Sequence, residues 1–507
     1  MRPGARPSSI VPAKQLNAAL SVVRPLHEGE FVLMRLNARP TVAWRLCAVA
    51  LFALPSLGAA ARPPASIPDV SHEAARPSAA WIRDGVIYEI FPRDFSPGGN
   101  LAGVTAQLDR LQQLGVTILW LMPIHPIGEL HRKGPFGSPY AVRDYAAINP
   151  QYGVPADLHA LVRAAHQRGM KLIIDMVANH TSWDSVMMRD PDFYKHENGR
   201  ILSPEPDWDD VAQLDYDNPR LRQYMIAMLS KWVRDFDLDG FRCDAAAYVP
   251  TSFWEEARAA LEQVNPDIIM LAEADQADLM VHAFDVDYDW ALHGTLEQVI
   301  HGTAPASELT TTWRRELAHF PRGALHMRFS DNHDQRRAIT RFGERAALAA
   351  SALMFTLDGV PMLYNGMEVG DASESTDPAL FERVPIYWES GSGHLRPWFT
   401  PFYQGLIALR RTHAALTAGE LVWLHNSDEA RVLTFLRRTS NETLLVAINL
   451  SSEPFSGEVR GAEGEFHDIT PAAAQPPTPA RALGVPPAVS LEAWGFRIYR
   501  ATRGAAP

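Results

Sequence analysis

KLIIDMVANH (Lys171–His180), DGFRCDAA (Asp239–Ala246), DIIMLAEA (Asp267–Ala274) and HMRFSDNHD (His326–Asp334) share one design: an apolar, β-rich run that gives way to a loop at a carboxylate. The carboxylates are Asp175, Asp244, Glu273 and Asp334. An ionised carboxylate at the inner end of a buried strand is expensive unless it is paired, so four of them point to a common pocket rather than to packing. Similar runs stand at Val86–Phe91, Thr117–Met122, Phe284–Tyr288 and Val360–Tyr364. Stretches such as Ala156–Gly169, Leu221–Phe236, Phe253–Val264 and Glu344–Thr356 lie between the runs and carry apolar residues at three- and four-residue spacing, which predicts helices. Eight alternations predict an α/β fold of the (β/α)8 TIM-barrel type, in which functional groups stand at the C-terminal ends of the strands. The structural rival is a doubly wound open sheet. Its glycine-rich phosphate turn is missing, because PRDFSPGG (Pro92–Gly99) follows the first strand instead of G-x-G-x-x-G.

The domain reading follows from where this alternation holds. The barrel is expected over residues 81–413. Two connections exceed what a barrel needs: Pro123–Pro150, rich in Gly, Pro and aromatics, and 181–218, which has the size of a short inserted domain after the third strand. From 416 to 503 short strand-like runs without helices (LVWL, VLTFL, TLLVAINL, FRIYR) predict a C-terminal antiparallel β-sandwich, with a Pro/Ala-rich loop at 471–488.

The N-terminal end reads as an address. Residues 34–61 carry an Arg-bearing start, an apolar stretch at Leu46–Leu57 and the small residues Ala59, Ala60 and Ala61, the pattern of a signal peptide cleaved near Ala61. The expected location is secreted or periplasmic, with no stable membrane insertion, since the apolar stretch is short for a span. Residues 1–33, Pro- and Arg-rich without periodicity, read as a non-native or disordered extension, with translation starting at Met34. Cleavage would leave Cys243 as the single cysteine, which excludes a disulfide framework and a thiolate zinc site. A net charge of −12 with no basic run argues against nucleic acid and for a neutral or cationic small substrate.

Within a strand at 240–244, Arg242 and Asp244 project to one face, and the guanidinium is expected to hold Asp244 ionised, as a carboxylate nucleophile requires. Glu273, emerging from an apolar run, is expected to keep a proton as a general acid. A low-pKa nucleophile beside a raised-pKa acid is the pair that retaining glycoside hydrolysis uses. His333 with Asp334, and Asp175 with Asn179 and His180, add hydrogen-bonding groups suited to sugar hydroxyls. A catalytic metal is not expected, because H-E-x-x-H and His-x-His patterns are absent from these runs.

These four segments, in this order, resemble the signature regions of the α-amylase family, glycoside hydrolase family 13, and in particular neopullulanase- and cyclomaltodextrinase-like α-amylases. VIYEIFPRDF, LWLMPIHP, GSPYAVRDY and GVPMLYNGMEVG extend the likeness over most of residues 82–500. The resemblance implies Asp244 as nucleophile, Glu273 as acid and then base, and Asp334 as the carboxylate gripping the O2 and O3 hydroxyls. It implies Arg242, His180, His333 and Tyr140 as substrate-binding residues, and Asp175 and Asn179 as site-framing ones. The implied substrate is an α-glucan or malto-oligosaccharide cleaved at α-1,4 bonds. Transglycosylation through the same intermediate is the alternative, and a non-catalytic amylase-like binding protein is a third reading from another class.

Two departures matter. Ala246, Ala247 and Tyr248 stand where calcium-dependent relatives carry Lys-His, and Gln213-Leu214-Asp215 replaces a motif that supplies a carboxylate ligand. No cofactor is therefore expected, and calcium is left with its usual ligands partly missing. No N-terminal sandwich of the kind used for dimerisation is seen between Arg62 and Trp81, so a monomer is expected.

Overall fold

The computed structural model describes residues 68–373, 380–388, 395–472 and 486–502. The extension at 1–33, the leader at 34–61, Cys47 and most of the 471–488 loop lie outside the described residues. Eight strands form a closed, all-parallel barrel: β1 (Ile87–Ile90), β2 (Ile118–Leu121), β3 (Lys171–Val177), β4 (Gly240–Asp244), β5 (Ile269–Ala272), β6 (Val286–Tyr288), β7 (Leu325–Arg328) and β8 (Val360–Tyr364). Their order round the barrel is the order in the chain, with β8 pairing β1. Buried on both faces, these strands read as continuous apolar runs rather than as alternating ones.

Local chemistry fixes the entry to β4. The helix Pro219–Phe236 starts with Asn218 accepting from the Arg220 N–H at 2.9 Å and Pro219 in its first turn, and it ends at Asp237 in the left-handed region. Gly240 then opens β4 at φ +155°, where a Cβ would lie 2.0 Å from the Ile269 carbonyl oxygen. Only glycine permits this approach of β4 to β5, the two strands that deliver Asp244 and Glu273.

After β3 the chain makes two short antiparallel ribbons, His180–Ser182 with Val211–Gln213 and His196–Glu197 with Arg200–Ile201. Tyr145, on the long connection after β2, places its hydroxyl 2.6 Å from the Val177 carbonyl and 2.7 Å from that of His180. The two excursions are thereby joined directly above the barrel.

The C-terminal unit contains β9 (Glu420–Trp423), β10 (His425–Asn426), β11 (Val432–Arg438), β12 (Thr443–Asn449), β13 (Phe455–Arg460), β14 (Phe466–Asp468), β15 (Ala488–Leu491) and β16 (Phe496–Ala501). One sheet has the order β9-β11-β12-β16-β14, the other β10-β13-β15. Alternation assigns its faces. Leu433, Phe435, Leu444, Val446, Ile448 and Ile498 join the barrel's core, whereas Val432, Leu436, Leu445, Ala447 and Tyr499 pack inside the sandwich with Val459 and Val489. Arg437, buried in this sheet, donates to the Thr356 carbonyl at 2.9 Å at the end of the helix Glu344–Thr356.

Candidate active site

At the C-terminal ends of β3 and β4, Asp175 and Asp244 meet the guanidinium of Arg242. Asp175 and Arg242 share a rung of the β3–β4 ladder, and Asp244 follows Arg242 by two residues, so all three side chains share a face. Arg242 Nη1 lies 2.9 Å from both Asp175 oxygens and 3.1 Å from Asp244 Oδ1. Its Nη2 lies 2.9 Å from Glu273 Oε1, off the hydrogen-bonding direction. The arginine is fully buried, with the rings of Trp120, Tyr140 and Tyr288 centred 5.2, 5.5 and 5.6 Å from Cζ, so its own position is held from several sides.

The turn after the strand has a task of its own. Ala245 sits in the left-handed region at φ +45°, a strain on the order of 1 kcal/mol for a residue with a Cβ. The turn aims the Ala245 N–H at Glu273 Oε2, 2.7 Å away. Both oxygens of Glu273 thus face donors. Asp244 Oδ2, by contrast, accepts no hydrogen bond among the described residues, with His180 Nε2 at 4.0 Å. That oxygen is spare.

Sharing one guanidinium among three carboxylates changes the electrostatics from those expected of an Arg-x-Asp pair. Burial raises Asp244 well above the usual carboxylate range and the Glu273 charge adds to it, while Arg242 only partly opposes them. The expectation that Arg242 would lower Asp244 is corrected on this point. Burial likewise raises Asp175 to about 6 against the pull of Arg242. One cation cannot neutralise three buried anions, so the charges of Glu273 and Asp175 both disfavour ionisation of Asp244.

The remaining residues form the wall and floor. Tyr140 donates to Asp175 Oδ2 at 3.0 Å and stacks on the His333 ring, with centroids 5.3 Å apart at 18°. His333 Nε2 is 2.7 Å from the Tyr140 hydroxyl and 3.3 Å from Asp334 Oδ1, and Nδ1 makes a short hydrogen bond to Glu89. Burial draws the His333 pKa down, but Asp334 and Glu89 outweigh it and raise it to about 9. His180 is pushed down to about 4 by burial and is neutral. Asn179 approaches His180 Nδ1 with its amide nitrogen at 3.3 Å.

All nine residues singled out in the sequence therefore gather at one mouth. Three further residues escaped that reading: Glu89 on β1, Trp120 on β2 and Tyr288 on β6, whose hydroxyl accepts from Arg242 Nε at 3.3 Å. Glu89 carried a signal, a single carboxylate inside VIYEIF, whereas an aromatic in an apolar strand reads as core.

The class that this fold and this mouth define together is a barrel glycosidase. A family model described as "Alpha amylase, catalytic domain" matches residues 79–209 and 206–397, and the chain belongs to the α-amylase family. It is 31% identical over 428 residues to α-amylase MalA of Haloarcula japonica, covering 77% of this chain and 61% of that protein. It is 29% identical over 420 residues to a cyclomaltodextrinase of a Bacillus species, covering 73% of each. Among solved structures, an α-amylase from Lactobacillus plantarum superposes with a TM-score of 0.74 at 31% identity, over 84% of this chain and 100% of that one. The chain thus spans less than two thirds of the Haloarcula relative's length.

The family's calcium can be tested against the residues present. Asp215 Oδ1 accepts from the Asp217 N–H at 3.2 Å, inside the turn that leads to Pro219, while the Asn179 amide nitrogen is directed at His180. Among the described residues no group of three or more His, Cys, Asp or Glu side chains is placed to hold a metal ion. With Gln213 in place of a carboxylate, this donor set does not fit calcium.

Proposed function

We propose that this chain is a retaining glycosidase that cleaves α-1,4-glucosidic bonds in α-glucans and malto-oligosaccharides. The observation that carries the proposal is the unequal use of carboxylate oxygens around Arg242: Glu273 Oε2 accepts from Ala245 N–H and Oε1 lies 2.9 Å from the guanidinium, while Asp244 Oδ2 accepts no hydrogen bond among the described residues. The bound sugar rests on the Tyr140–His333 stack, with Asp334 and the His333 cation at its hydroxyls. Asp244 Oδ2 attacks the anomeric carbon as Glu273 gives its proton to the departing oxygen, and a β-glycosyl-enzyme forms. Glu273 then takes a proton from water, whose oxygen displaces Asp244 and regenerates the free carboxylate. Attack requires Asp244 ionised with the proton on Glu273, an arrangement that leaves the pair with one negative charge in total.

The test is incubation with maltoheptaose, β-cyclodextrin and pullulan, with the first-formed reducing ends observed by proton NMR. The α-anomer is expected from maltoheptaose. Initial β-anomer would exclude retention, and no cleavage of any of the three would sink the proposal. Calcium plays no part in it: activity and Tm are expected to be unchanged in a chelator, and a large loss would restore the metal.

Export follows from the 34–61 leader, and sequencing the N-terminus of protein recovered outside the cytoplasm is expected to begin near Arg62. Among the described residues no helix is long and apolar enough to cross a membrane.

A further inference from the structure

The loop at 205–210 is gripped by donors from three separate parts of the chain. Lys133, on the connection after β2, places Nζ 2.6 Å from the Asp207 carbonyl, 3.2 Å from Asp209 Oδ1 and 3.0 Å from Asp210 Oδ1. Trp183 Nε1 donates to the Asp209 carbonyl at 2.9 Å, and the Tyr248 hydroxyl donates to Glu205 at 2.7 Å. These anchors surround Trp208, whose ring stands 5.6 Å from that of His180 and 5.9 Å from that of Tyr248.

Tyr248 ends the short helix Ala246–Tyr248, which hangs from Glu273: Ala245 N–H reaches its carboxylate and Ala246 N–H its carbonyl at 3.2 Å. Despite its size Tyr248 is 45% exposed, and it also walls a cleft of about 260 Å³ lined by Lys195, Asp215, Thr251 and Gln276. The aromatic pair is thus tied to Glu273 through this helix, and a group that protonates the departing oxygen has the leaving sugar beside it.

We propose that Trp208 and Tyr248 form the platform for the leaving-group sugar, which is also the acceptor sugar in transfer, and that Lys133 is the positioning residue that holds Trp208 there. This rests on Asp244 and Glu273 being nucleophile and acid. Aromatic faces take up the apolar face of a pyranose, and an interaction with the leaving sugar lowers the barrier only when that sugar is present.

The test compares maltotetraose with α-maltosyl fluoride, whose leaving group carries no sugar. W208A and Y248A are expected to lose about tenfold to a hundredfold in kcat/KM on maltotetraose, and at least fivefold less on the fluoride. K133M is expected to show the same split to a smaller degree, with K133R restoring it. Equal losses on both substrates would mean that the ring merely supports His180, and no loss on maltotetraose would mean that no sugar rests there; either overturns the proposal. Y248A, at an exposed position, keeps the test open if W208A does not fold. A wild type inert toward both substrates would instead sink the underlying glycosidase reading.

Discussion

Two buried arginines in this barrel each gather three carboxylates, and only one of the two clusters stands at the mouth proposed as the catalytic site. Arg242 faces the barrel axis with Asp175, Asp244 and Glu273. Arg328, on β7, lies beneath the helix Ser307–His319 with Asp289 in short contact, Asp358 at 3.0 Å and Glu316 at 3.6 Å. In the Arg328 cluster two of the carboxylates have employment elsewhere: Asp289 caps the helix Trp290–Ile300 by accepting from Leu292 N–H at 2.9 Å, and Asp358 accepts from Trp313 Nε1 at 3.1 Å. Both clusters keep oxygens without a hydrogen bond among the described residues, but Asp289 Oδ2 and Glu316 Oε2 are fully buried, whereas Asp244 ends a barrel strand with its side chain 11% exposed. The difference between the clusters is position at the strand ends, not the gathering of charge.

The largest effect expected of this contrast is on rate. Asp244→Asn and Glu273→Gln should each lower kcat on maltoheptaose by about a thousandfold or more. Asp289→Asn should leave kcat/KM near that of the wild type. Because burial and Glu273 hold Asp244 above its ordinary pKa, ionising it costs stability as pH rises, so D244N should also melt higher than the wild type at pH 8. Activity surviving D244N would remove the nucleophile assignment, and a lower Tm would remove the electrostatic one.

Next in size, Arg328→Met strips the cation from three carboxylates and should cost about 3–5 kcal/mol of stability, the range for breaking a buried ion pair. Activity per folded molecule should persist. Urea unfolding followed beside maltoheptaose hydrolysis checks both halves, and a kcat that falls in parallel would show that the two clusters are coupled.

Much of the barrel and its mouth was legible because the information is local. A carboxylate that follows an apolar strand, as in KLIIDMV or DIIMLAE, marks strand, direction and end within eight residues. Trp120 and Tyr288 were not legible, and Glu89 left only a lone carboxylate inside VIYEIF, since all three act by converging across the axis from β1, β2 and β6, and no spacing in the chain records that. The same limit explains the reversed expectation for Asp244. An Arg-x-Asp pair read alone lowers the Asp, but the sequence does not reveal that Asp175 and Glu273 draw on the same guanidinium. In the C-terminal unit, FSGEVR and AVSL escaped notice because they form the short second sheet, half solvated and polar on one side.

A smaller effect sharpens the account of the mouth. His333 stands at about 9 because Asp334 and Glu89 outweigh its burial. Its folded pKa lies above the ordinary value, so its stabilising contribution is complete below about pH 6.5 and is lost as pH climbs through 9. If the imidazolium serves substrate hydroxyls, kcat/KM should fall on the alkaline side near pH 9. Glu89→Gln should move that limb downward by about a unit or more while leaving the rate at pH 6 less affected. An unmoved limb would assign it to another group.

The smallest effect belongs to the Arg328 cluster and has the opposite origin. Burial, followed by the charges of Asp287 and Asp358, raises Glu316 to about 8. A carboxyl that keeps its proton in the folded chain and loses it in the unfolded one makes stability fall as pH rises between its two pKa values, here from about 4.5 to 8. Glutamine has the shape of the protonated acid and no proton to give up. The Tm difference between Glu316→Gln and the wild type should therefore be near zero at pH 5 and grow in favour of the variant toward pH 8, with kcat on maltoheptaose unaltered throughout. A difference that does not change with pH would mean that Arg328 holds Glu316 ionised and that all three carboxylates of this cluster are paired.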